Sequence, residues 1–112
     1  MKNITTYLFE SQNKKLQNAF DTLKKVFNIK PEYSEDGRYV FVKLETRRTY
    51  QYISIYEEDN NHVMIDTSMY DDAYVVPNTI EDIETFLKSY KNGNVSDNAI
   101  EVQKYRKSNK TN

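Results

Sequence analysis

Residues 38–69 read RYVFVKLETRRTYQYISIYEEDNNHVMIDTSM and alternate between apolar and polar positions in three successive runs. The apolar positions on one side are Val40, Val42, Leu44, Ile53, Ile55, Val63 and Ile65. Alternation with a period of two, in segments rich in aromatic and β-branched residues, is typical of strands with one buried face. The short connections at 45–49 and 57–61 predict an antiparallel three-stranded meander. Residues 73–76, AYVV, fit either a brief fourth strand or a loop.

A helix is predicted upstream, in residues 14–28. Its apolar positions recur every three or four residues and form one stripe: Leu16, Ala19, Phe20, Leu23, Val26 and Phe27. Ser11 is a suitable N-cap, and Asn28 and Pro31 end the helix. Residues 4–9, ITTYLF, fit a helical extension slightly better than a short strand.

A second helix is predicted after Pro77. Asn78 is placed to cap it, with Glu81 three residues later as in a capping box. Acids in the first turn and lysines in the last suit the helix dipole, and Gly93 provides the C-terminal cap. The apolar stripe consists of Ile80, Ile83, Leu87 and Tyr90.

The element order α-β-β-β-α predicts a two-layer α+β domain with both helices on one face of the meander. We expect residues 1–94 to form this single domain. Residues 95–112 read as a polar, basic and partly flexible tail, in which 99–105 could add a strand or a weak helix.

The opposite face of the meander is aromatic. It carries Tyr39, Phe41, Tyr50, Tyr52, Tyr56, His62 and Met64. Such a face is covered by another part of the chain, pairs with a second copy in a homodimer, or stacks on unpaired bases. Few Lys or Arg residues accompany the tyrosines, which disfavours bases.

Charge is distributed unevenly along the chain. Residues 57–84, here called the acidic block, hold nine of the 17 Asp and Glu residues and none of the 16 Lys and Arg residues. The rest of the chain therefore carries an excess of eight positive charges, although the net charge is only −1. This pattern predicts a strong local field and an acidic surface.

The chain lacks the residues that most classes of active site require. The chain has no Cys and one His, His62, which is about 13 Å along its strand from Asp66. No glycine-rich loop and no calcium-loop spacing occurs, so we expect no enzyme, no cofactor and no metal site. No apolar run could span a membrane and no targeting segment is recognisable, so we expect a cytoplasmic protein of the host cell.

The acidic block predicts a protein-binding surface for a basic partner. A carboxylate array imitates phosphates, and interleaved tyrosines serve as interface anchors. This requires the loop after the third strand to fold back towards the preceding hairpin turn. The expected contact residues are Tyr56, Glu57, Glu58, Asp59, Tyr70, Asp71, Asp72, Tyr74, Glu81, Asp82 and Glu84. The competing interpretation is a merely solvated acidic face.

The element order, the acids around the last strand and FLKSYKNGN at the end of the second helix resemble small acidic anti-CRISPR proteins of Gram-positive phages. The resemblance is one of organisation over residues 10–94. It implies an inhibitor encoded by a phage or mobile element that mimics DNA at the Cas9 surface reading the protospacer-adjacent motif. Glu57, Glu58, Asp59, Asp71 and Asp72 would be its leading contacts.

Two alternatives remain. The first is a nucleic-acid-binding accessory protein that uses the basic first helix and tail. Its candidate residues are Lys14, Lys15, Lys24, Lys25, Arg47, Arg48, Lys104, Arg106 and Lys107. The second is an immunity protein whose acids neutralise a cationic nuclease toxin.

Overall fold

The computed structural model describes residues 14–45 and 49–110. The predicted N-cap Ser11, the segment 4–9, and Arg47 and Arg48 therefore lie outside the described residues. The helices are a short 3-10 turn at Lys14–Leu16, then α1 (Gln17–Phe27), α2 (Ile80–Lys91) and α3 (Val102–Lys110). The strands are β1 (Glu32–Tyr33), β2 (Tyr39–Glu45), β3 (Tyr50–Asp59), β4 (His62–Thr67), β5 (Tyr74–Pro77) and β6 (Ile100–Glu101).

The six strands form one antiparallel sheet in chain order, β1 to β6. The predicted meander is its centre, β2–β4, and residues 74–77 supply a strand, β5. The two short edge strands add one pairing at each side. The α+β class predicted from the sequence is confirmed.

The core lies between one sheet face, here called the inner face, and the helices α1 and α2. Strand residues on this face are almost completely inaccessible, and Phe86 and Leu87 of α2 pack against them. The buried strand residues are Val40, Val42, Ile53, Ile55, Val63, Ile65 and Val76. Six of the seven apolar positions that the alternation assigns to the core are therefore buried, and Val76 is added to them. The seventh, Leu44, is on the same face but only half-buried.

Helix α1 ends where the sequence predicts. Asn28 adopts a left-handed conformation, with φ of 56°, and its amide donates to the carbonyl of Lys24. Asparagine tolerates this conformation better than most residues. The chain then turns into β1, where Tyr33 stacks on Phe20 of α1 with the ring centroids 5.2 Å apart.

Helix α2 begins one residue later than predicted. Its N-cap is Thr79, whose hydroxyl accepts from the amide of Asp82 at 3.0 Å and donates to the Asp82 carboxylate at 2.8 Å. Asn78 instead donates from Nδ2 to the carbonyl of Lys15 at 2.9 Å, linking the starts of α1 and α2. The helix is therefore capped by Thr79 with Asp82, not by Asn78 with Glu81, and the Thr79 amide donates to the carbonyl of Pro77. At the other end Gly93, with φ of 81°, forms the expected glycine stop.

The hairpin between β3 and β4 is tighter than predicted. Strand β3 continues through Glu57 to Asp59, and only Asn60 and Asn61 form the turn. The pairing shifts between Glu57 and Asp59, which makes Glu58 an extra residue on its strand. The acids expected in a loop therefore belong to a strand.

The opposite face, here called the outer face, is half covered by α3. Both structures left open for residues 99–105 occur in succession, as the strand β6 and then a helix. Val75 points to the outer face and is only 1% exposed. Helix α3 reaches β3 at the end of that strand, where Tyr105 contacts Asp59 and Arg106 contacts Glu58. Tyr50 and Tyr52, at the start of β3, stay exposed. No helix in the described part of the chain is long and apolar enough to cross a membrane.

Candidate protein-binding surface

The acidic block divides between two ends of the sheet. Glu57–Asp59 lie at the β3–β4 turn, and α2 begins beside them because the amide of Asn78 donates to the carbonyl of Asn61. Asp71 and Asp72 lie in the connection from β4 to β5, at the opposite end of β4. That strand spans Thr67 to His62, about 17 Å at the usual rise per residue. The loop does not fold back, so the single acidic cluster predicted from the sequence does not form.

Two acids near the turn are paired with basic residues from outside the block. Glu57 contacts the ammonium of Lys15 at 3.0 Å. Glu58 accepts two hydrogen bonds from the Arg106 guanidinium, at 3.0 Å and 2.9 Å, and its side chain is only 10% exposed. A bidentate pair of this kind is strong and directional. Glu58 is therefore closed to a partner, whereas Glu57 stays 41% exposed and would have to exchange Lys15 for a new cation.

The acids of α2 also have internal partners. Glu84 contacts Lys25 of α1 at 3.1 Å and Lys88 at 2.7 Å, and both ammonium groups lower its pKa. Asp82 belongs to the helix cap and also accepts a hydrogen bond from Asn98. Glu81 is exposed and makes no ion pair within the described residues.

Asp59 is the centre of a polar contact between the turn and α3. Its carboxylate accepts from the Tyr105 hydroxyl, from the amide of Asn61 and from Nδ1 of His62 at 3.0 Å. Partial burial acts to raise the pKa of Asp59, but these hydrogen bonds outweigh it and lower the pKa from 3.8 to about 2. His62, the single histidine of the chain, therefore pairs with Asp59 across the turn. Asp66 is too far along the strand to reach it.

The three tyrosines of the predicted site have structural contacts. Tyr70 packs edge-on against Tyr74 and Tyr90, donates its hydroxyl to the carbonyl of Asn94 at 2.7 Å, and has its pKa raised by burial. Tyr74 packs on the core. Tyr56 is half-buried on the outer face, 4.6 Å from the ring of Tyr39.

A different set of residues is left open. On the outer face Tyr50 is 51% exposed, Tyr52 is 45% exposed, and Asp66 is exposed nearby on β4. The adjoining β4–β5 connection presents Met69, 44% exposed, together with the exposed Asp71 and Asp72. The amide of Ser68 donates to the carbonyl of Tyr52, which joins this connection to the tyrosine end of β3. We name this set the tyrosine–carboxylate surface: Tyr50, Tyr52, Asp66, Met69, Asp71 and Asp72.

The charge of this surface is negative. Asp66 and Asp71 make no ion pair within the described part of the chain. A hydrogen bond with Glu101 raises the pKa of Asp72, while Lys104 lowers that of Glu101. The Lys43 ammonium lies 3.9 Å from the centre of the Tyr50 ring. No group of three or more His, Asp and Glu side chains placed to hold a metal ion occurs among the residues described.

Those basic residues of the alternative interpretation whose side chains the structure describes do not form one patch. Lys15, Lys25, Lys104 and Arg106 are engaged in ion pairs. Helix α1 packs on the inner face and α3 on the outer face, so their basic side chains lie on opposite sides of the sheet. Of the others, Lys24 and Lys107 are exposed.

Comparison with protein-family models, with curated proteins and with solved structures finds no match for this chain. The candidate surface therefore depends on its own geometry. Sequence reasoning placed Tyr50 and Tyr52 on the outer face but left them out of the binding set, together with Asp66 and Met69. The signal was present in the alternation of β3, which directs both tyrosines away from the core.

Proposed function

We propose that this chain is a non-catalytic binding protein whose protein partner binds at the tyrosine–carboxylate surface. The observation that carries the proposal is the exposure of Tyr50 and Tyr52 beside Asp66 and Asp71, which make no ion pair with any residue that the structure describes. Tyrosine offers a large contact area at a small cost in side-chain entropy and is enriched at interface centres. The proposed function, binding to a basic protein, is the one expected from the sequence. The proposed contact residues are those of the tyrosine–carboxylate surface and not the whole acidic block.

The partner is a protein with a cationic surface. Among the described residues, Asp66 and Asp71 have no ion pair to give up when they meet a cation. Glu57, Glu58 and Glu84 would have to exchange an existing partner. Complementary charge accelerates association and makes it sensitive to salt. A cationic surface of this kind is common in proteins that handle nucleic acids.

The resemblance to small acidic anti-CRISPR proteins supports a narrower form of the proposal. In that form the chain is encoded by a phage or mobile element and occupies the DNA-reading surface of a host nuclease of the Cas9 type. The acids that would take the place of phosphates are Asp66, Asp71 and Asp72.

The test is a pull-down with matched charge variants from a nuclease-treated lysate of a low-GC Gram-positive bacterium. The parent chain is expected to capture a basic protein, and a purified Cas9–guide complex serves as the probe for the narrower form. The variant Asp66→Lys with Asp71→Lys should weaken capture about tenfold or more, because two attractive contacts become repulsive. Tyr52→Ala should weaken it similarly by removing an anchor.

The control carries the same change in charge at the other end of the sheet. Glu35→Lys with Asp97→Lys replaces two exposed acids and should leave capture unchanged. If both double variants lost capture of the partner equally, the loss would come from the change in net charge and not from the position of the acids. That result would contradict the proposed surface. A parallel pull-down from untreated lysate tests the alternative: recovery of nucleic acid there, with no protein captured after nuclease treatment, would contradict the protein partner and favour the nucleic-acid-binding alternative.

A further inference from the structure

Within the described residues, strand β2 has one edge that is only partly paired. Strand β3 pairs with it from Tyr39 to Glu45, whereas β1 pairs with it only at Val40 and Phe41. Pro31 precedes β1 and has no amide to donate, so the ladder between β1 and β2 ends there. In residues 14–45 and 49–110, no strand pairs with residues 42–45 along the edge of β2 that faces away from β3.

The main-chain groups of Lys43 and Glu45 point to this edge. The carbonyl of Tyr39 accepts from the amide of Ser34 on the β1 side. Successive residues of an antiparallel strand direct their N–H and C=O groups to opposite sides. Lys43 and Glu45 lie four and six residues after Tyr39, so they direct their main-chain groups to the same side as Tyr39, away from β3. Leu44 directs its groups towards β3.

The side chains at this edge are complementary to themselves. Lys43 and Glu45 are exposed on the outer face, and the half-buried Leu44 lies between them on the inner face. A second β2 strand could pair antiparallel with the first in registers that place Lys43 opposite Lys43, Glu45 opposite Glu45, or Lys43 opposite Glu45. Like charges directly opposite each other destabilise paired strands, so charge selects the third register.

We propose that the chain forms a homodimer in which β2 pairs antiparallel with β2 of a second copy, about a two-fold axis at Leu44. The axis places each Lys43 opposite the partner's Glu45, and each such pair exchanges two main-chain hydrogen bonds. The contact is isologous, as a two-fold dimer requires.

The proposed pairing also extends the existing rows of side chains. Lys43 pairs with Tyr52 and Glu45 with Tyr50 within one copy. One row of side chains then crosses the joined outer faces: Tyr52 and Lys43 of one copy, followed by Glu45 and Tyr50 of the second copy. Both tyrosine–carboxylate surfaces would face the same side of a continuous sheet, which makes the dimer bivalent for a partner.

The contact is short, so we expect a weak dimer that forms in proportion to protein concentration. Sedimentation velocity of the full chain, up to about 1 mM, should show a shift from monomer to dimer. Lys43→Glu and Glu45→Lys should each weaken the dimer about tenfold or more, because each places like charges opposite each other.

Two further samples separate the ion pair from general destabilisation. An equimolar mixture of the two single variants should form heterodimers, since one presents only carboxylates and the other only ammonium groups at the edge. The double variant with Lys43→Glu and Glu45→Lys should recover dimerisation, because it reverses both pairs. Circular dichroism verifies that each variant is folded.

A parent chain that stays monomeric at every concentration would overturn the proposal. A dimer that neither single charge variant weakens would also overturn it. So would a dimer that is lost only on replacing Tyr50 and Tyr52 and therefore packs face to face. None of these outcomes bears on the cationic partner, because the experiment contains no other protein.

Discussion

Asp59 joins three parts of the chain at one carboxylate. It belongs to β3, binds the amide of Asn61 in the turn, and accepts from Tyr105 of α3 and from His62 of β4. The residues that it joins are up to 46 positions apart in the chain. Local spacing therefore cannot predict the contact between Asp59 and α3. Asp66, the acid on the strand of His62, is too far along that strand to pair with it.

The lowered pKa of Asp59 predicts an acid-dependent loss of stability. Its pKa is about 2 in the folded protein against 3.8 as the reference value for an unperturbed Asp. The stabilisation is fully present above about pH 4 and is lost as pH falls towards 2, because the unfolded chain binds the proton more tightly. The parent should therefore exceed Asp59→Asn in melting temperature at pH 5, and the difference should shrink towards pH 2.

Tyr105→Phe tests the cause of this behaviour. Removing the hydroxyl removes one of the hydrogen bonds that lower the pKa, so the transition should move to higher pH. A difference between parent and Asp59→Asn that stays constant from pH 5 to pH 2 would contradict the assignment.

At the scale of the element, the start of α2 depends on one hydroxyl. Thr79→Ala removes the acceptor of the Asp82 amide, and loss of such a cap costs about 1 kcal/mol in the free energy of unfolding. Thr85→Ala is the matched control, since Thr85 is exposed in the same helix and its hydroxyl donates to the carbonyl of Glu81, one turn earlier. That variant should be neutral or slightly stabilising, because alanine is the better helix former. Urea denaturation measures both, and equal effects would contradict the role of Thr79.

The elements that the sequence predicts well are those with a strong periodic pattern. The alternation of β2, β3 and β4 and the stripes of α1 and α2 follow from burial on one face, which their own residues encode. Strands β1 and β6 have two residues each, too few for any period. The one-residue shift at Thr79 has a tertiary cause, because Asn78 bonds to Lys15 of another element.

At the scale of the whole molecule, charge that is separated along the chain is partly brought together by folding. Lys15 and Lys25 come from the basic N-terminal half, and Arg106 comes from the basic C-terminal segment. They meet Glu57, Glu84 and Glu58 of the acidic block. The block is therefore a weaker guide to the binding surface than its composition suggests. Which acids remain open depends on long-range pairing, which no single segment specifies.

Removal of α3 tests how far this compensation stabilises the fold. A chain that ends at Glu101 loses the cover over Val75 and the counter-ion of Glu58, whose side chain is 10% exposed. We expect it to fold with about 2 kcal/mol less stability, from lost apolar burial and an unpaired carboxylate, and to bind more apolar dye. Added salt should recover part of the loss, because it screens the repulsion among Glu57, Glu58 and Asp59.

A chain that ends at Ser108 is the control for this truncation. It keeps Tyr105 and Arg106 with their contacts to Asp59 and Glu58, so its urea denaturation curve should match that of the parent. If the two truncations lose stability equally, the contacts of Tyr105 and Arg106 do not hold α3 in place. If neither loses stability, α3 contributes nothing to the stability of the fold, and the expected stabilisation from covering Val75 and pairing Glu58 is contradicted.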